Sequence, residues 1–334
     1  MMTYLLKRLL LIIPTLVGIT IITFLMIQLA PGNPISLKLQ QLGGTVRAES
    51  VSPEVIAQTK KLYGLDRPLP LQYLLWVKRL ATLDFGVSYK DHRPVLDKIS
   101  EALPVTLLLN VISIFLIYLI SIPLGLFSAV AKESWLDRSL TLFLFFLYSL
   151  PSFWVAMLLI IYLGGGEYLD LFPIVGIVSP GVQELPFWGQ VGNLIWHLVL
   201  PVTVLTYGGF AFLSRLSRAQ LLEVIGQDFI RTARAKGLSE RVVLFRHALR
   251  NSLIPLVTLM GTLLPAMIGG SVIVEQIFSI PGMGRLGFEA VLSRDYPTVM
   301  AIATIEAVLT LVGMLISDLL YVMVDPRISF EGMR

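Results

Sequence analysis

The sequence contains no cysteine and few charged residues. Of its 334 residues 14% are charged and 55% are hydrophobic, whereas a typical soluble domain carries about 25% charged residues. The absence of cysteine excludes disulfides, thiolate metal sites and cysteine nucleophiles. The histidines are His92, His197 and His247, and no two have metal-ligand spacing, so we predict no metal site. Low charge with high hydrophobicity predicts a polytopic membrane protein.

A phosphate-binding loop of the form G-x-x-x-x-G-K-S/T is also missing. Such a loop cradles the phosphates of ATP, so we predict no ATPase site, no catalytic residue and no cofactor in this chain. The formal net charge is +4, but the basic residues adjoin apolar runs, where they set membrane orientation. We therefore expect membrane lipid, and not nucleic acid, as a partner.

Six long apolar runs predict an all-α fold with six transmembrane helices. Each run has the roughly 20 residues needed to cross about 30 Å of hydrocarbon. The runs are 9–30, 103–131, 139–163, 194–214, 251–274 and 298–324. The first follows Lys7 and Arg8 as in a signal peptide, but it is longer than a signal-peptide core and no small-residue cleavage site follows. We expect it to remain as a helix.

The charges beside these runs predict that both termini are cytoplasmic. Lys132 and Arg138 flank the second connection, whereas 164–193 contains no Lys or Arg. Basic residues of short loops stay on the cytoplasmic side. The predicted order is an N-terminal transmembrane helix at 1–30, an external segment at 31–101, a transmembrane domain at 102–325 and a cytoplasmic tail at 326–334.

The loop at 215–250 is strongly basic and is predicted to face the cytoplasm. Its acidic residues are Glu223, Asp228 and Glu240. Its basic residues are more numerous: Arg215, Arg218, Arg231, Arg234, Lys236, Arg241, Arg246 and Arg250. A loop this short cannot be an enzyme, so a docking element and a plain charged connector with a short interfacial helix are the two interpretations.

Within the loop, Asp228 is suited to cap a helix and Gly237 to end it in the left-handed conformation. About two helical turns fit between them. Helical spacing predicts Phe229, Ala233 and Lys236 on one face and Ile230 and Arg234 on another. Ser239 is predicted to cap a second helix leading into the fifth run.

The same loop resembles the cytoplasmic EAA motif of binding-protein-dependent ABC importer permeases. Arg231, Thr232 and Ala233 occupy the EAA positions and Gly237 the glycine, although Arg231 replaces the acid. The segments ARAKGLSE at 233–240 and RHALRNSLIP at 246–255 resemble the oligopeptide/dipeptide/nickel branch of that family. Similar segments along 1–331 are LAPGNP at 29–34, YGLDRP at 63–68, DFG at 84–86, IPLG at 122–125, EQIFSIPGMG at 275–284, RDYP at 294–297 and DPRI at 325–328.

Other segments look nearest to the oligopeptide/microcin C permease branch: GG at 165–166, DLFP at 170–173, WH at 196–197 and FEG at 330–332. The resemblance implies a type I ABC importer permease fold in the inner membrane of a bacterium. It also implies peptide translocation by alternating access. The implied partners are a second homologous permease subunit, two ATP-binding-cassette ATPase subunits that bind ATP and Mg, and an external peptide-binding protein.

The predicted site residues fall into three groups. The helix that would contact the ATPase comprises Asp228, Phe229, Ile230, Arg231, Thr232, Ala233, Arg234, Ala235, Lys236, Gly237 and Leu238. An external gate would involve Glu275, Pro281, Gly282 and Gly284, and a plain re-entrant or surface turn is the alternative interpretation of this segment. Polar side chains within or beside the spans are candidates to line the path, namely Ser149, Ser152, Thr206, Thr262, Ser271 and Glu306.

Each path residue also has a structural interpretation, because Ser and Thr commonly bond to their own helix. Within the family, a nickel or small-solute permease is the alternative to a peptide permease. Outside it, a secondary transporter is disfavoured because the spans lack a proton-relay constellation. A purely structural membrane anchor is the remaining alternative.

Overall fold

The computed structural model describes residues 2–29, 66–165, 168–263, 267 and 269–324. Within these ranges the chain is helical, and one isolated bridge joins Val87 to Pro94. The helices are α1 (Met2–Leu29), α2 (Leu69–Ala81), α3 (Val95–Val130), α4 (Trp135–Ser149), α5 (Ser152–Leu159), α6 (Phe187–Ile225), α7 (Asp228–Ala235), α8 (Glu240–Val242), α9 (Leu249–Ser252), α10 (Ile254–Leu263), α11 (Val272–Ile277), α12 (Met283–Leu292) and α13 (Tyr296–Val324). A π-helical turn extends α5 (Ile160–Gly164), and another joins α8 to α9 (Val243–Ala248).

Four of the described helical stretches are long and apolar enough to cross a membrane. They are Arg8–Leu29, Val95–Val130, Phe187–Ile225 and Tyr296–Ile316. They match the predicted runs 9–30, 103–131, 194–214 and 298–324. Both α3 and α6 continue past these runs, because their polar flanking residues are compatible with a helix outside hydrocarbon.

The third predicted span, 139–163, differs from the expected single helix. It is divided into α4 and α5, which meet at an angle of 94°. Pro151 has no N–H to donate and disfavours the helical conformation for the residue before it, so α4 ends there. Leu150 is accordingly extended, with φ −79° and ψ 128°.

The fifth predicted span, 251–274, is also divided. Its residues belong to α9, α10 and α11, while 264–266 and 268 lie outside the described residues. Counting the bent α4–α5 pair as one span gives up to five candidate spans in the described part of the chain. The prediction of six continuous spans is therefore not established.

The core lies where α3 packs along α6. Leu109 of α3 and Leu200 and Val204 of α6 are buried in one apolar cluster, which Phe278 completes. Toward the C-terminal end of α3, a Cβ added to Gly125 would lie 2.5 Å from Ser217 Cβ. Glycine is needed there because the two helices approach more closely than any side chain allows.

The described part of the segment predicted to be external, 66–101, packs on this helical core, and 31–65 lie outside the described residues. This segment contains α2, where Tyr73 meets Phe24 of α1 edge to face with ring centroids 5.5 Å apart. A loop at 84–94 is tied to the start of α13 by Asp295. This carboxylate is 1% exposed and accepts hydrogen bonds from Tyr89 N at 2.7 Å and the Thr298 hydroxyl at 2.6 Å.

Candidate functional site

The basic loop contains a separate short helix, α7, at the predicted position. It begins at Asp228, but Gln227 precedes it in an extended conformation with no side-chain cap. The predicted capping role of Asp228 is therefore wrong, and its carboxylate instead lies 3.3 Å from Arg231 Nη1. Because carboxylates are favourable in the first turn of a helix, Asp228 still suits this position.

The end of α7 agrees with the prediction. Gly237 has φ +77°, and its N–H donates to the Arg234 carbonyl at 2.9 Å. Glycine adopts this left-handed conformation without the steric cost that other residues meet. Ser239 precedes α8 in an extended conformation, as predicted for a cap, but its side chain makes no capping bond.

The face of α7 that packs on the protein combines residues that helical spacing assigned to two different faces. Ile230 is fully buried and Ala233 is 6% exposed, so these two residues lie together against the core. They contact an apolar cluster whose other buried members are Ala129, Leu221, Val224, Val243 and Ala248. Spacing alone grouped Ala233 with Phe229, because three and four positions are equally close on a helix.

The opposite face of α7 is open. Phe229 is 40% exposed. Arg234 forms a bidentate pair with Glu240, with Nε 2.7 Å from Oε1 and Nη2 3.3 Å from Oε2. Exposed pairs of this kind contribute little stability, about 0–1 kcal/mol. The open face therefore offers an aromatic ring among cations for contact with another molecule.

A cavity of about 500 Å³ adjoins Phe229. It is lined by Phe229, Arg246, His247, Arg250, Asn251, Leu253, Ile254 and Val257. The lining contains two arginines, Arg246 and Arg250, and no acidic residue. The surface formed by α7 and this cavity is suited to an acidic or polar partner.

The residues predicted to form an external gate surround the buried side chain of Glu275. Glu275 is 1% exposed, and its carboxyl accepts from the Thr106 hydroxyl at 3.0 Å and from Arg285 N at 2.8 Å. A Cβ at Gly270 or Gly282 would lie 2.5 Å from this carboxyl group. Burial raises the pKa of the Glu275 carboxyl, and the hydrogen bonds partly offset that shift.

The other residues predicted to form the gate lie next to Glu275. Gly282 is the extended residue before α12, and Gly284 lies in the first turn of that helix. Pro281 stands between Ile280, which is buried, and Gly282. The Glu275 carboxyl thereby binds a backbone N–H at the start of α12, where helical N–H groups lack partners of their own.

The candidate path residues do not form one constellation in the described part of the chain. Ser149 and Thr206 donate within their own helices, to Phe146 O at 2.8 Å and to Thr203 O at 3.3 Å. Ser271 caps α11 by accepting from Val274 N at 3.4 Å. Ser152 begins α5 directly after the bend. The Thr262 side chain lies outside the described residues.

Glu306 lies on α13, partly buried, in the middle of an apolar span. A Cβ added to Gly269 would be 3.9 Å from its Oε1, and no hydrogen bond or ion pair to Glu306 occurs among the described residues. The other acid of this helix, Asp318, pairs with Arg8 and so connects α13 to α1. Only Glu306 therefore retains the character expected of a functional intramembrane carboxyl.

Histidine serves a structural purpose where it is buried. Within the described ranges, no three His, Asp or Glu side chains come close enough to hold a metal ion. His197 Nε2 lies 2.9 Å from the Ser179 hydroxyl, and Nδ1 lies 3.3 Å from the Gly176 carbonyl. These contacts fix the external loop at 176–179 on α6.

Sequence reasoning missed Asp137 and its partner Arg218. Asp137 is 4% exposed in the first turn of α4, and Arg218 of α6 donates to both of its oxygens. Asp137 lies just before the apolar run at 139–163, where a charged residue commonly marks the end of a membrane span. The two residues are distant in sequence, so no local pattern connects them.

Comparisons with known proteins identify the family of this chain. Residues 121–330 match the family model described as "Binding-protein-dependent transport system inner membrane component", and residues 1–110 match the model of its N-terminal region. The chain belongs to this family of transport-system membrane components. It is therefore a multi-pass inner-membrane transport component and not an enzyme.

The curated relatives cover the whole chain. The oligopeptide transport system permease protein AppB of Bacillus subtilis (strain 168) is 41% identical over 99% of this chain and 100% of its own length. The dipeptide transport system permease protein DppB of Escherichia coli (strain K12) is 36% identical over 99% and 100%. The inner membrane ABC transporter permease protein YejB of Escherichia coli O157:H7 is 36% identical over 98% and 99%.

A solved structure supports the fold alone. A chain of the MetNI methionine ABC transporter superposes with a TM-score of 0.51 at 17% identity, over 70% of this chain and 98% of that chain. The type I ABC importer permease fold expected from the sequence is thereby confirmed.

Proposed function

We propose that this chain is a permease subunit of an ATP-binding-cassette importer that moves di- and oligopeptides into the cytoplasm. The observation that carries the proposal is α7, a short helix held on the core by Ile230 and Ala233 with Phe229 left on the surface. Relatives that transport oligopeptides and dipeptides support peptide as the substrate class. The sequence has no phosphate loop, so ATP and Mg bind on separate subunits.

In this mechanism α7 docks on an ATPase subunit at the cytoplasmic face. Closure of two ATPases then draws the coupling helices of two homologous permeases together and switches the path between outward and inward access. Burial of Ile230 and Ala233 supports the rigid connection that such a movement requires. An external peptide-binding protein delivers the substrate, and both termini of this chain are cytoplasmic.

The path and the gate complete the proposal. The path lies between the two permeases and is lined by polar side chains from Ser149, Ser152, Thr206, Thr262, Ser271 and Glu306. The gate is the segment from Glu275 through Pro281, Gly282 and Gly284. Residues 1–30 form the first transmembrane helix, 31–101 the external segment, 102–325 the transporter domain and 326–334 the cytoplasmic tail.

Truncation of Phe229 tests docking without disturbing the core contacts of α7. We expect Phe229→Ala to weaken capture of the ATPase subunits roughly thirtyfold, as for loss of an aromatic interface anchor worth about 2 kcal/mol. Phe115→Ala is the matched control, because Phe115 is 62% exposed on α3 and far from the loop in sequence. If both variants capture the ATPase equally well, α7 is not the docking helix.

Disruption of α7 itself tests transport. Ala233→Glu places a charge against the buried cluster, and Gly237→Pro is incompatible with φ +77°. We expect both variants to insert in the membrane and to lose ATP-dependent uptake of a labelled dipeptide into proteoliposomes. Normal uptake by either variant contradicts the coupling role. Uptake of nickel but not peptide by the wild type identifies the small-solute alternative, and uptake without ATP identifies a secondary transporter.

A further inference from the structure

A buried carboxylate ties four parts of the chain together at the cytoplasmic side. Asp137, in the first turn of α4, accepts from Arg218 Nε at 3.0 Å and Nη2 at 2.7 Å. It also accepts from Glu133 N at 3.0 Å and from the hydroxyl of Ser128 near the end of α3. Both carboxylate oxygens therefore have two partners. The bidentate pair with arginine fixes orientation as well as distance.

Arg218 lies on the part of α6 that carries α7. One turn further along α6, Leu221 and Val224 are buried in the apolar cluster that holds Ile230 and Ala233. A displacement of α7 therefore acts directly on this end of α6. Arg218 lies three residues before Leu221 on α6, next to that cluster. Its pair with Asp137 is therefore the polar contact through which a shift of this end of α6 would reach α4.

A second contact ties the other end of α4 to the same helix. The Tyr207 hydroxyl of α6 donates to the Leu150 carbonyl, at the bend after α4, at 2.6 Å. Arg218 and Tyr207 are roughly 16 Å apart along α6, and Asp137 and Leu150 roughly 20 Å apart along α4. Between them, the Arg215 guanidinium lies 4.2 Å from the centre of the Phe145 ring. Contacts at both ends and in the middle make α4 follow α6.

We infer that Asp137 and Arg218 are positioning residues that transmit movement of α7 to α4 and so to the bend at Leu150 and Pro151. The inference rests on the proposed function, because the movement is the one that the ATPase subunits impose. Transmission needs contacts that persist while the helices move. A buried bidentate pair with further hydrogen bonds provides them, whereas an exposed pair does not.

The test measures coupling in the complete transporter, reconstituted with its partner permease, ATPase subunits and binding protein. For Asp137→Asn we expect ATP hydrolysis at the wild-type rate and dipeptide import per ATP reduced by at least about fivefold, the low end of typical coupling effects. Arg218→Lys keeps the charge without the bidentate geometry and should give an intermediate ratio. Asp97→Asn is the matched control, because Asp97 is an exposed carboxylate in the first turn of α3.

Tyr207→Phe tests the second contact and changes a single hydroxyl, so it serves if Asp137→Asn does not assemble. We expect Tyr207→Phe to lower dipeptide import per ATP hydrolysed as well. The inference is overturned if dipeptide import per ATP hydrolysed stays at the wild-type value in these variants, whether or not both rates decrease. A wild-type complex that imports no peptide contradicts the proposed function instead. Loss of import in Ala233→Glu with a normal ratio in Asp137→Asn and Tyr207→Phe overturns only the transmission role.

Discussion

Replacement of Thr106 by valine should destabilise the protein by removing two buried hydrogen bonds at the proposed gate. Thr106 is fully buried on α3; its hydroxyl donates to Glu275 Oε1 at 3.0 Å and accepts from Met283 N at 2.8 Å. Valine has the same shape but forms neither bond. The buried carboxyl loses a hydrogen bond worth about 1.5–3 kcal/mol, and the Met283 N–H is left unpaired at about 1–3 kcal/mol.

We expect a combined loss of about 3 kcal/mol, near the lower sum because neighbouring effects are not additive. At about 2 °C per kcal/mol for a chain of this size, the unfolding temperature should fall by about 6 °C. Tryptophan fluorescence of the detergent-solubilised protein during heating measures this change.

Thr203→Val is the matched control for this prediction. Thr203 is exposed on α6 and its hydroxyl donates to the Val199 carbonyl of its own helix at 2.7 Å. Loss of this bond should change stability by no more than about 0.5 kcal/mol. If Thr106→Val lowers the unfolding temperature no more than Thr203→Val does, the bridge between α3 and α12 does not stabilise the gate.

Two further predictions concern the helix contact and the external loop. Gly125→Ala places a Cβ 2.5 Å from Ser217 Cβ and should cost about 1–3 kcal/mol, whereas Gly208→Ala, with no atom within 4 Å, should not lower the unfolding temperature. Burial raises the pKa of Asp91, but the hydrogen bonds from Lys98, Arg93 N and Ser88 and the charge of Lys98 together outweigh it and lower the pKa from 3.8 to about 2. The stability that the ionised Asp91 carboxylate contributes is complete above pH 3.8 and is lost as the pH falls toward about 2. Unfolding temperature measured against pH should therefore be flatter for Asp91→Asn, and equal slopes refute the assignment.

Long apolar runs in the sequence predicted the main helices, and local signals predicted where α7 begins and ends. The apolar runs that became α1, α3, α6 and α13 are long enough that hydropathy alone identifies them. Gly237 was recognisable because few other residues adopt its conformation. The buried face of α7 was not predictable, because the choice between Ala233 with Phe229 and Ala233 with Ile230 depends on side chains from α6.

The bend after α4 and the Asp137–Arg218 pair could not be predicted from the sequence. The bend after α4 has a visible cause in Pro151, but mean hydropathy does not distinguish a broken span from a straight one. The Asp137–Arg218 pair depends on how α4 lies against α6. Neither residue carries a local pattern, since a charge beside an apolar run usually contacts water.

The bend also determines how the third apolar run relates to bilayer thickness. α4 has 15 residues and spans about 22 Å, while α5 with its π-helical turn covers roughly 20 Å in a direction nearly perpendicular to it. Neither half alone matches about 30 Å of hydrocarbon. A single copy in lipid would therefore have to thin the bilayer locally or cover this region with another chain. Bilayers of shorter acyl chains should accordingly favour the lone subunit, and thicker ones its assembly with a second permease.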